Sequence, residues 1–127
     1  MCFGCGKSND CGLQLNVSYN NGKARTKVMF KKHHQGWKEL VHGGVIAAAL
    51  DEVMAYAAGF LGKIKVVTAK LSITYRKPIK INEEYNLEAE VVELKGRKIN
   101  VKAYLKKDNK VYAEAEGLYL QVKEVKM

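Results

Sequence analysis

The stretch from Val45 to Ala58 limits the folds open to this chain more than any other, because only Asp51 and Glu52 interrupt it with charge. Alanine, leucine and methionine favour helix. His42-Gly43-Gly44 opens the run with turn chemistry, and Gly59 or Gly62 can stop it. No solvated face can be drawn on such a helix, so it is expected to be buried on most sides. A buried carboxylate without an obvious partner is costly, and that makes Asp51 the first functional candidate.

The cover for this helix must come from the rest of the chain, whose 127 residues suit one domain and are too few for two ordinary cores. Leu13 to Tyr19 alternates apolar and polar residues as a half-buried strand does, Asn20-Asn21-Gly22 signals a hairpin, and a second strand is expected near Ala24 to Lys31. After the helix, Lys65 to Arg76 alternates with Val67, Ala69, Leu71, Ile73 and Tyr75 on one face and Thr68, Lys70, Ser72, Thr74 and Arg76 on the other. The only proline, Pro78, follows this run, where an edge or a bend tolerates it. Tyr85 to Leu94 changes parity at Val91-Val92, which suggests a bulge. Tight turns at Lys95-Gly96 and at Lys107 to Lys110 lead into strands over Arg97 to Lys106 and Val111 to Val122. The arm Met1 to Gly12 shows no period and is expected to be irregular. Lys32 to Leu40 shows none either and reads as a loop entering the helix, a natural place for a lid or a substrate contact. Its candidates are His33, His34, Gln35 and Trp37, the tryptophan being expected to pack over the edge of the core. The order predicts a single α+β domain over residues 1–127, a curled antiparallel sheet of five to six strands around one long central helix.

The charge balance, 22 Lys and Arg against 13 Asp and Glu, favours acidic partners in general. The bases do not form a block. Many alternate with apolar residues, as in Lys98-Ile99-Asn100-Val101-Lys102, which is the pattern of a sheet's wet face and argues against nucleic-acid binding as the main function. No segment approaches twenty consecutive apolar residues and no basic-then-apolar leader follows Met1, so a cytoplasmic protein without membrane contact is expected. Cys2, Cys5 and Cys11 are too few and too close for a disulfide framework. With His33 or His34 they have the types of a zinc site, but the usual second ligand pair is missing, and the expectation is no metal.

The first turn of a helix presents unpaired backbone N–H groups and a partial positive charge. Glycines at positions 43 and 44 would let a ligand oxygen approach those donors closely, so an oxyanion site is one reading and close packing of the helix start is the other. Asp51 lies eight residues beyond Gly43, about 12 Å along a helix axis. It cannot readily reach a carbonyl held at its own Gly43. If both serve one reaction, two copies of the chain must share the site. His42 either orients a substrate or braces the loop through backbone groups.

His42-Gly43-Gly44, Asp51-Glu52 and the later block Thr68-Ala69-x-Leu71-x-Ile73-x-Tyr75-x-x-Pro78 together closely resemble the hotdog-fold acyl-CoA thioesterases of the PaaI-like group. The arm Cys2-Phe3-Gly4-Cys5-Gly6-x-x-Asn9-x-x-Gly12-Leu13 is similar to the N-terminus of a subset of them. The resemblance implies a homodimer, often paired again into a dimer of dimers, that hydrolyses an acyl-coenzyme A thioester without metal or redox cofactor. It implies that the N–H of Gly43, with Gly44 beside it, polarises the thioester carbonyl. Asp51 of the facing subunit activates water or attacks directly, and the hydroxyl of Thr68 helps place the water. Many members carry an Asn six residues before the His; this chain has Gly36 there, with Gln35 as a substitute and Trp37 beside it. Arg76 and Lys77 are the expected partners of the coenzyme A phosphates, with Lys80, Lys95, Arg97 and Lys98 in reserve. Met54, Tyr56, Ala57 and Phe60 either line an acyl tunnel or belong to the core. Two alternatives remain open at this point: a hydratase or dehydratase that pairs His42 with Asp51, and a non-catalytic acyl-CoA sensing domain.

Overall fold

The computed structural model describes residues 17–20, 23–62 and 65–122, with only the backbone for residues 20 and 60–62. The arm Met1 to Gly12 expected to be irregular, the three cysteines, the first half of the expected Leu13 to Tyr19 strand, Asn21-Gly22 and the side chain of Phe60 lie outside the described residues. The alternating runs become strands close to where their periods place them. Strand β1 (Ser18–Asn20) pairs antiparallel with β2 (Lys23–Met29). The long helix α1 (Gly43–Gly62) follows, and then β5 (Val66–Tyr75), β6 (Glu84–Lys95), β7 (Lys98–Lys107) and β8 (Lys110–Gln121). All six form one antiparallel sheet in the order β1-β2-β6-β7-β8-β5. This is the curled-sheet and central-helix arrangement expected from the sequence.

The segment entering the helix has more structure than its lack of period suggests. A short 3-10 helix, Lys32–His34, leads into the small hairpin β3 (Gln35–Trp37) and β4 (Leu40–Val41). Polar groups on both sides hold it: the Val41 N–H donates to the Ile79 carbonyl at 2.8 Å and the His42 N–H to the His34 carbonyl at 2.9 Å. Backbone bonds of this kind are not encoded in side-chain period, which is why the strands were not legible.

The helix buries Ile46, Ala49, Leu50, Val53, Met54, Ala57 and Ala58 against the sheet. The spacing follows the helical repeat and corrects the expectation of a helix covered on most sides. Ala47, Ala48, Asp51, Glu52, Ala55 and Tyr56 lie on the opposite side and are only half-buried. On the sheet, Leu87, Ile99, Val101, Leu105 and Tyr119 face the helix with essentially no exposure. Each such large side chain contributes about 1.5–3 kcal/mol of burial energy. The outer face carries cross-strand pairs such as Lys23 with Glu90, Lys102 with Glu116 and Lys106 with Glu88. Exposed pairs of this kind contribute about 0.2–1 kcal/mol, so the core dominates stability and the lysines mainly solvate the sheet.

Strand β5 forms one edge of the sheet and is exposed over most of its length. A bulge between Thr68 and Lys70 changes its facing. Simple alternation put Thr68 on the face opposite Leu71, Ile73 and Tyr75; the extra residue Ala69 brings Thr68 to the helix side with them. A second bulge, between Val91 and Glu93 of β6, falls where parity changes in the sequence.

Candidate active site

His42 is placed by two glycines. Its imidazole Nδ1 accepts the Gly44 N–H at 2.9 Å, so the neutral ring carries its proton on Nε2. A Cβ on Gly44 would lie 3.0 Å from that Nδ1, and one on Gly36 would lie 3.0–3.1 Å from the Cδ2, Cα and Cβ of His42. The ring fits because neither neighbour has a side chain. His42 therefore braces the helix start through backbone groups, as a capping residue does.

The cap sorts the donors of the first turn. Gly44 gives its N–H to His42 Nδ1, while Val45 and Ile46 give theirs to the His42 carbonyl at 3.0 and 3.2 Å. Among the described residues, the Gly43 N–H has no acceptor. It stands at the exposed, electropositive end of a long helix, where a developing negative charge is stabilised. Tyr75, at the end of β5, braces the same residue from the other side by donating its hydroxyl to the Gly43 carbonyl at 2.8 Å. Partial burial pushes the Tyr75 phenol above its ordinary range, so this donor keeps its proton.

Two turns further along, Asp51 sits on the half-buried side of α1. Thr68 Oγ1 donates to its Oδ1 at 2.9 Å, and the Tyr119 hydroxyl donates to the same oxygen at 2.6 Å. Thr68 and Tyr119 are direct cross-strand partners on β5 and β8, which is what brings both hydroxyls to one carboxylate. The Tyr119 phenol is pushed far above its ordinary range, first by burial and then by the hydrogen bond to Asp51 and its charge. Tyr119 had no distinguishing signal in the sequence beyond an apolar position on a strand. The register that pairs it with Thr68 depends on the Ala69 bulge, which alternation does not reveal.

The remaining candidates are spread around the helix entry and the end of β5. Gln35 Oε1 accepts the Glu39 N–H at 3.1 Å, closing the β3–β4 turn where Glu39 takes a positive φ of 63°. Trp37 is 79% exposed, so the expected packing over the core edge is not found; on β3 its ring projects outward. Arg76 is paired with Glu114, whose hydrogen bond and charge raise the Arg76 pKa, and the Lys77 ammonium lies 5.6 Å from the centre of the Tyr112 ring. His34 is buried and its Nδ1 accepts the Lys31 N–H at 2.9 Å, which commits that nitrogen to the backbone. Met54 and Ala57 are fully buried in the core.

The helix and the sheet order have counterparts among known proteins. A family model described as the thioesterase superfamily matches residues 39–114, from the β3–β4 turn into β8. The chain belongs to the thioesterase superfamily. Over 115 residues, 87% of this chain, it is 30% identical to the acyl-coenzyme A thioesterase THEM4 of Mus musculus. It covers 49% of that protein and so spans about half the length of the curated relative. Among solved structures, a thioesterase superfamily protein from Shewanella loihica is 25% identical, with a TM-score of 0.75 over 86% of this chain and 91% of that one. Zebrafish thioesterase superfamily member 2 superimposes with a TM-score of 0.79 over 85% of this chain and 81% of its own, at 20% identity. The latter is a likeness of fold, and the fold of this superfamily member is the hotdog. No helix among its described residues is long and apolar enough to cross a membrane.

Proposed function

We propose that the protein hydrolyses acyl-CoA thioesters to a free carboxylic acid and coenzyme A, in a site shared by two copies of the chain. The Gly43 N–H of one copy binds the thioester carbonyl oxygen and stabilises the oxyanion that forms on it. Asp51 of the other copy activates water, or attacks the carbonyl carbon itself; the thiolate of coenzyme A leaves, and in the second case water then hydrolyses the mixed anhydride on Asp51 to release the acid and restore the carboxylate. The observation that carries this reading is the division of labour along α1. One unengaged donor lies at its start, and one braced carboxylate lies about 12 Å further on, too far apart to meet on one substrate within a copy.

Pairing of two copies is supported by the half-buried side of α1 that carries Asp51 and by the exposed edge strand β5 beside it. In this reading Trp37 and Gln35 border the acyl group, Arg76 and Lys77 at the end of β5 meet the phosphates of coenzyme A, and Gly44 holds His42 in place. The chemistry uses no metal or redox cofactor, because a backbone donor and a carboxylate suffice for it. The working unit is a homodimer or a dimer of dimers in the cytoplasm, with no nucleic-acid partner.

A thiol-release screen over a panel of short, long and aromatic acyl-CoAs tests the proposal, with Asp51→Asn as control. The amide keeps an oxygen for Thr68 and Tyr119 but removes the base, and turnover should fall by about 10²–10⁴. Failure of the unmodified protein to hydrolyse any member of the panel would overturn the proposal.

A further inference from the structure

The hydrogen bonds around Asp51 are divided unequally between its two oxygens. Thr68 and Tyr119 both donate to Oδ1, at 2.9 and 2.6 Å, and among the described residues no hydrogen bond reaches Oδ2. Since a carboxylate oxygen offers about two lone-pair sites, Oδ1 is saturated. A carboxylate that merely needed satisfying would be served as well by one donor on each oxygen. Placing both on Oδ1 instead fixes the rotation of the group and leaves one defined oxygen open.

We infer that Tyr119 is a positioning residue for Asp51, holding Oδ1 so that Oδ2 is the oxygen presented to the thioester or to the attacking water. The inference rests on Asp51 acting in thioester hydrolysis as proposed above. Tyr119 has no exposed surface, so it cannot touch a substrate and acts through Asp51: its hydroxyl lies 2.6 Å from Oδ1, the shorter contact, and 3.2 Å from the Asp51 main-chain carbonyl oxygen. The fold makes room for it specifically. Gly117 lies two residues earlier on the same face of β8, and a Cβ there would come within 2.6 Å of the Tyr119 ring and 3.3 Å of Met54 Sδ. The first distance is closer than real carbon contacts allow, so the ring occupies space that a side chain at position 117 would need. Burial and the neighbouring negative charge keep the Tyr119 phenol protonated, so it stays a donor.

Tyr119→Phe keeps the ring in its slot and removes only the hydroxyl. Measured on an acyl-CoA that the unmodified protein hydrolyses, kcat should fall about tenfold to a hundredfold, the loss typical of one hydrogen bond to a charged group, while KM stays within about twofold. A purely structural role would lower the melting temperature without separating kcat from KM. Proton NMR supplies a readout that needs no turnover: a slowly exchanging, downfield hydroxyl resonance should be present in the unmodified protein, absent in Tyr119→Phe, and displaced upfield in Asp51→Asn, where the acceptor is neutral. An unchanged kcat in Tyr119→Phe, or a hydroxyl resonance indifferent to Asp51→Asn, would overturn the inference and leave the thioesterase proposal standing. An unmodified protein that hydrolyses no acyl-CoA would overturn both.

Discussion

A backbone N–H cannot be deleted by an ordinary substitution, but the place of Gly43 in the helix allows it. Gly43 is the first helical residue, a position where proline is favoured because its N–H has no intrahelical partner and its φ is preset for the helix. A Cβ at position 43 would lie 3.5 Å from the Tyr75 hydroxyl oxygen and 3.7 Å from the adjacent ring carbon, both ordinary contacts. Gly43→Pro should therefore fold with nearly unchanged stability while losing the one unengaged donor of the first turn. Removal of one oxyanion donor lowers kcat about 10²–10³-fold, equivalent to about 2.7–4 kcal/mol. Gly43→Ala, which adds the same Cβ and keeps the N–H, should stay close to the unmodified rate. Acyl-CoA hydrolysis followed by thiol release separates the two, and equal activity of the proline and alanine variants would refute the role of the N–H. Mixing then tests where the two halves of the site come from. In a Gly43→Pro/Asp51→Asn heterodimer, a site shared across copies has both halves intact once and both lost once. After random exchange at equal concentrations, about a quarter of the unmodified activity should return. If each site lay within a single chain, no activity would return.

Two further expectations concern the supports of the site. Gly36→Ala places a Cβ 3.0–3.1 Å from three atoms of His42, including its Cα, where carbon contacts prefer about 3.5–4.0 Å. The β3–β4 pairing of Gln35 with Val41 limits relief, so overpacking should cost about 1–3 kcal/mol, visible as a lower melting temperature, and Gly36→Asn should not raise activity; a variant that melts at or above the unmodified protein would contradict this. The second concerns alkaline stability. Burial raises Tyr119, Tyr85 and Tyr75, so the folded chain keeps phenolic protons that the unfolded chain releases near pH 10. The folded state then binds more protons, and stability should fall as pH rises above about 10. Urea midpoints measured from pH 8 to 11 should show this decline, and Tyr119→Phe should make it shallower; an equal slope in both proteins would refute the assignment to Tyr119.

The sequence revealed most where side chains alone carry the information. The helix from Gly43 to Gly62, the strands with strict alternation and the Val91-Val92 bulge follow from apolar period, and the conjunction of His42-Gly43-Gly44 with Asp51 marked the candidate site. What stayed hidden depends on backbone register. The Ala69 bulge looks like ordinary alternation in the sequence, yet it decides that Thr68 faces the helix, and only the pairing of Thr68 with Tyr119 assigns the tyrosine to Asp51. The half-covered helix has a related cause. Uniform apolar character shows that both sides of α1 are suited to burial, but it does not say that one chain covers only one of them.

That half-covered side gives the arrangement around Asp51 its physical sense. Should a second copy cover it, water would leave the carboxylate, and a desolvated charge without hydrogen bonds costs several kcal/mol. Thr68 and Tyr119 supply two such bonds from the same chain before any partner arrives, so pairing need not carry that whole cost. The bonds fall on one oxygen, which leaves the other without a competing partner among the described residues. At the helix start, His42 and Tyr75 engage the neighbouring groups and leave the Gly43 N–H open in the same way. Each half of the proposed site is thus fixed within its own chain, with one unengaged group remaining. Two copies that meet along α1 and β5 would bring an organised donor to an organised carboxylate, and little reorganisation would be left for the reaction itself.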